Sequence, residues 1–152
     1  PPLQIMYGLR ESLNMLFEEG LENVFARHYR IAEGVREAVR AWDMRLCAKS
    51  PELYSDTVSA VYVPDGFDSN VLTDHAFDVY GVSFGIGLGK MAHKAFRIGH
   101  LGSMTDVMAL SGIAAIEMAM KDLEYPIEPG AGVSAAQNYY RATAHRPQLQ
   151  AA

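Results

Sequence analysis

The residues with most capacity for chemistry lie in two neighbouring stretches, Gly81-Val82-Ser83-Phe84-Gly85-Ile86-Gly87-Leu88-Gly89 and Phe96-Arg97-Ile98-Gly99-His100-Leu101-Gly102. Read as a strand, residues 95 to 99 alternate, so Phe96 and Ile98 face a core while Arg97 points the other way. A guanidinium offers a planar fork of N–H donors that matches a carboxylate, and it stays charged at any working pH. Arg97 is therefore read as a carboxylate clamp beside flexible, glycine-rich backbone. Lys90, Lys94 and Arg97 are the only lysine or arginine residues between Lys49 and Lys121, a local cationic island in a chain of net charge -5. For the two lysines the plainer reading is a solvated face.

Other patterns in these stretches fail on context. Gly81-Val82-Ser83-Phe84-Gly85 is a literal G-x-S-x-G, but a nucleophile elbow needs a strand before its serine and a helix after it. Here a helical pattern precedes and glycines follow. Gly89-Lys90 does not complete a phosphate loop, because a Walker A pattern would need Gly at 84 and Ser or Thr at 91, where Phe84 and Met91 stand. A dinucleotide fingerprint lacks its last glycine. The glycines at 85, 87 and 89 then read as a mobile loop that permits positive φ. His28, His75, His93, His100 and His145 show no metal-ligand spacing, and Cys47 is the single cysteine. His100 reads as a hydrogen-bonded structural histidine, and the 8 methionines as core filling.

Elements must hold Arg97 in place, and their order is legible. Leu3, Met6, Leu9, Leu13, Leu16 and Phe17 recur at helical spacing until Gly20, and Val24, His28, Ile31, Val35, Ala38 and Trp42 continue it from about Leu21 to Trp42. The first of these helices is apolar nearly all round and needs cover on several sides. Short strands follow at 45–47 and 57–63, then a helix capped at Ser69 and ended by Gly81. Strands at 82–84 and 94–98 flank the glycines, and Thr105-Asp106 opens a strong last helix. This predicts an α/β (α+β) fold: an N-terminal helical segment, then a small, mostly antiparallel sheet with helices packed on one face. The divisions expected are a helical lead-in at 1–42, a small α/β domain at 43–124, and a tail at 125–152 with a short helix near 131–143 and a loose, Ala-rich end.

At 152 residues, 49% hydrophobic and 20% charged, the chain has ordinary globular composition. No apolar run approaches the roughly 20 residues that span a bilayer. Net acidity disfavours nucleic acid as a partner. A lone cysteine is compatible with a reducing compartment, and cytoplasm is the expected location. The chain begins Pro1-Pro2 without an initiator methionine, as expected of a processed product or the back part of a longer protein.

From Pro1 to about Met120 the chain resembles the carboxy-terminal, small domain of class V aminotransferases that use pyridoxal phosphate. The resemblance rests on Pro1-Pro2 with Leu9-Arg10-Glu11-Ser12-Leu13, on Thr57-Val58-Ser59-Ala60-Val61-Tyr62-Val63-Pro64-Asp65-Gly66-Phe67-Asp68, on Gly87-Leu88-Gly89, and most specifically on Phe96-Arg97-Ile98-Gly99-His100-Leu101-Gly102. It implies that Arg97 binds the substrate carboxylate, that Gly87, Leu88 and Gly89 form a loop at the site, and that the full enzyme is a homodimer. It also implies transfer of an amino group from L-serine or L-alanine to glyoxylate, giving glycine and hydroxypyruvate or pyruvate. The family's cofactor-holding lysine and its acidic partner lie upstream of the matched region. Lys49, Lys90, Lys94 and Lys121 match no such position, so this chain alone is expected to bind no cofactor and to be inactive without a large domain. The alternative is a non-catalytic α/β module that binds a small carboxylate or a protein.

Overall fold

The computed structural model describes residues 2–144; Pro1, His145 and the Ala-rich end lie outside the described residues. Two helices lead, α1 (Leu3–Glu19) and α2 (Leu21–Ala41), separated by Gly20. After a 3₁₀ turn at Pro51–Leu53 come β1 (Val58–Tyr62), α3 (Ser69–Tyr80), β2 (Gly85–Ile86), a second 3₁₀ turn (Gly89–Met91) and β3 (Ala95–Gly99). The helices α4 (Asp106–Asp122) and α5 (Ala131–Ala142) follow. The sheet runs in the order β1-β3-β2, antiparallel throughout, so β3 is central.

One face of the sheet is covered by helices, as the strand alternation requires. Val61, Phe96 and Ile98 enter a core with Ile31, Val35 and Val39 of α2, Leu72 and Ala76 of α3, and Ile113, Ile116 and Met120 of α4. Each fully buried side chain of this size stabilises the fold by about 1.5–3 kcal/mol relative to exposure. Helix α5 joins the same core through Ala136 and Tyr140, and the Tyr140 hydroxyl donates to the Ile31 carbonyl at 2.8 Å. Its N-terminus is held by Glu117 of α4, whose carboxylate accepts from Gly132 and Val133 amides at 3.1 and 3.3 Å and from Trp42 Nε1 at 3.2 Å. A carboxylate at that end also complements the helix dipole.

Three local expectations are corrected. Arg45-Leu46-Cys47 is no strand: Leu46 makes an isolated bridge to Val61, with Cys47 N–H donating to Ala60 and Tyr62 N–H to Arg45. Ser50 and Pro51 turn the chain away before a ladder can extend. Residues 82–84 are not extended into the sheet either; the strand comes later, at Gly85–Ile86, because the left-handed cap at Gly81 ends α3 in a different direction. The cap of α3 is Asp68, which has the extended backbone a cap needs and accepts from Asn70 N–H at 2.8 Å. Ser69 has already entered the helix and is buried.

Candidate functional site

Arg97 sits at the middle of the central strand, on the face that the helices leave open. Its register partners are Ala60 on β1 and Gly85 on β2, two of the smallest residues, so no bulky neighbour crowds it from either side. The side chain is half-buried, and its Nε donates to the Ile86 carbonyl at 3.1 Å. Among the described residues it has no carboxylate partner, as is also true of Arg10, Arg45 and Arg141 outside the sheet, whereas Arg27, Arg30, Arg36 and Arg40 are each paired with Asp or Glu at 2.6–2.9 Å. The two terminal nitrogens therefore remain available as a fork.

The loop Gly87-Leu88-Gly89 continues directly from the strand that receives Arg97. Gly87 is buried, and a Cβ there would overlap the Met91 carbonyl and lie 2.7 Å from that of Ala95. Leu88 is exposed, and Gly89 takes a φ of +55° to open the 3₁₀ turn. The segment behind them is tied down. The His93 ring meets Asp68 Oδ2 at 2.9 Å, Ser69 N–H donates to the His93 carbonyl at 3.1 Å, and the Tyr62 hydroxyl donates to Met91 Sδ at 3.2 Å. The Asn70 amide and His93 hold the Asp68 carboxyl below its ordinary range. The Arg97 hydrogen bond goes to Ile86 rather than into this loop.

The rest of the motif anchors the strand. His100 is buried; its Nδ1 donates to the Asp56 carbonyl at 3.1 Å, which leaves Nε2 to accept from the Ser59 hydroxyl at 2.9 Å. Burial pushes its pKa down to about 4, so the ring is neutral; the hydrogen-bonded, structural role is the one expected from the sequence. Gly102 is gripped by α2, its N–H donating to His28 Nε2 at 3.0 Å and its carbonyl accepting from Arg27 at 2.6 Å. Both ends of β3 are thus fixed around Arg97.

Nothing here fits covalent capture of an aldehyde cofactor. Lys49, Lys90, Lys94 and Lys121 are all exposed, so burial desolvates none of these amines within the chain. Among the described residues no cluster could hold a metal ion. Sequence reasoning missed Gly85 and the Ile86 carbonyl as neighbours of Arg97; the signal was the alternation of β3 together with correct placement of β2.

An L-aspartate–glyoxylate aminotransferase of Paracoccus denitrificans is 59% identical over 152 residues, which are all of this chain and 38% of that protein. A serine–glyoxylate aminotransferase of Hyphomicrobium methylovorum is 54% identical over 140 residues, 92% of this chain and 35% of that protein. The chain thus spans little more than a third of the curated relatives it matches. Among solved structures, pyridoxamine–pyruvate aminotransferase from Mesorhizobium loti superposes with a TM-score of 0.89 at 34% identity, covering 95% of this chain and 37% of that one. No protein-family profile matches the chain.

Proposed function

Because the chain belongs to the class V aminotransferases, as their carboxy-terminal part, we propose that it supplies the substrate-carboxylate arginine of an enzyme that moves an amino group to glyoxylate. The observation that carries this reading is Arg97 itself: an arginine without an acidic partner among the described residues, on the open face of the sheet between Ala60 and Gly85. Glyoxylate and every amino acid donor are carboxylates, so one fork serves both half-reactions. Charge-assisted pairing to the fork holds the substrate in one orientation, and the locked ends of β3 keep that orientation from wandering.

The amino donor is L-serine or L-alanine in this reading, giving hydroxypyruvate or pyruvate beside glycine, and L-aspartate is the donor named for one relative. Pyridoxal phosphate is held by the remainder of such an enzyme in this reading, since Lys49, Lys90, Lys94 and Lys121 match no cofactor-lysine position of the family. We take the full enzyme to be a cytoplasmic homodimer with Leu88 and its flanking glycines near the substrate. Replacing Arg97 by Ala in the full-length enzyme should raise KM for both donor and glyoxylate by about ten- to a hundredfold, the loss of a charge-assisted bond worth about 1.5–3 kcal/mol. Steady-state kinetics with each substrate check this, and unchanged KM values would sink the assignment.

A further inference from the structure

We propose that Gly85 is a positioning residue for Arg97: the volume its missing side chain leaves empty is where the arginine lies. An ideal Cβ at Gly85 would stand 3.0 Å from Arg97 Nε, 3.1 Å from its Cβ and 3.3 Å from its Cζ. Ordinary carbon contacts are about 3.5–4.0 Å. The guanidinium stem therefore crosses β2 over bare backbone, which brings Nε to the Ile86 carbonyl at 3.1 Å and fixes the plane of the fork.

Conformation gives no other reason for glycine at this position. Gly81 and Gly89 have positive φ and open space where a Cβ would go, whereas Gly85 has ordinary φ and a crowded Cβ position. Glycine inside a strand costs stability relative to alanine. Its presence in β2 is explained by what lies above it. The inference rests on the reading of Arg97 as the carboxylate fork, and it adds that the fork's direction is set by the neighbouring strand.

The test uses the full-length enzyme with Gly85→Ala, Gly85→Val, Arg97→Ala and the double variant Gly85→Val/Arg97→Ala. Because a misplaced reacting group costs up to about a hundredfold, Val should raise KM for donor and glyoxylate by about tenfold or more, and Ala by a smaller factor. Tm should stay level or rise in Gly85→Ala, which separates misorientation from unfolding. In the Arg97→Ala background Gly85→Val should add nothing. If Arg97→Ala raises KM while Gly85→Val does not, or if Gly85→Val costs the same in both backgrounds, the positioning role is overturned and the carboxylate reading stands. The ¹⁵N resonance of Arg97 Nε reads the Ile86 hydrogen bond independently of activity: it should shift in Gly85→Val, and an unmoved resonance also overturns the proposal. Should Arg97→Ala leave KM unchanged, the carboxylate reading falls and the positioning role falls with it.

Discussion

Arg97 and His100 are three residues apart and do opposite things, and their surroundings decide which. Arg97 has small neighbours and open space, so its charge stays available; His100 is enclosed, and both its nitrogens are used within the fold. The His100 pKa is lowered from 6.5 to about 4, first by desolvation, which outweighs the opposing hydrogen bond to the Asp56 carbonyl, with Arg36 nearby also disfavouring a second proton. The sign follows from linkage. The unfolded chain takes up this proton at higher pH than the folded one, so the stability tied to neutral His100 is complete above about pH 6.5 and drains away as pH falls towards 4. Urea unfolding should show a loss of about 2 kcal/mol between pH 7 and pH 5 from this group. In His100→Gln that part of the pH dependence should vanish; an equally steep profile would show that another group is responsible.

At the scale of elements, the long helices were legible because apolar spacing repeats over many residues, as from Val24 to Ala38 in α2 and from Val107 to Met118 in α4. Short elements were not. β2 has two residues, and its place is set by pairing with β3 rather than by any pattern of its own. The packing of α5 on α2 was equally hidden. Gly34 of α2 lies directly against the Tyr140 ring, so that a Cβ would fall well inside van der Waals contact. Helix propensity alone favours Gly34→Ala by about 1 kcal/mol. Overpacking against the ring costs about 1–3 kcal/mol or more, because the Tyr140 hydroxyl is also bonded to Ile31 and the ring has no easy retreat. Net destabilisation is the expected outcome by urea unfolding. A more stable Gly34→Ala protein would mean that α5 shifts without loss.

At the scale of the whole molecule, α1 has no buried residue, and Leu3, Ile5, Met6, Leu9, Met15 and Phe17 are each more than half exposed. Met15 and Leu16 line an apolar groove that continues to Phe25 of α2 and to Leu101, just beyond the Arg97 strand. Exposed apolar area of this extent drives association. The chain by itself should therefore sediment as species larger than a monomer, and Leu9→Glu with Phe17→Glu should restore the monomer; a clean monomer for the unmodified chain would contradict this. Among the described residues no helix is long and apolar enough to cross a membrane. The helices, the α/β class, the outward-facing arginine of β3 and the apolar excess of α1 were legible along the chain, because periodicity and side-chain chemistry are local properties of the residues. It took the folded arrangement to show that Gly85 lies under Arg97, that His100 is neutral and that α5 closes the core on α2. Those depend on which backbones approach one another, and distances between distant segments are set by packing, to which spacing along the chain is blind.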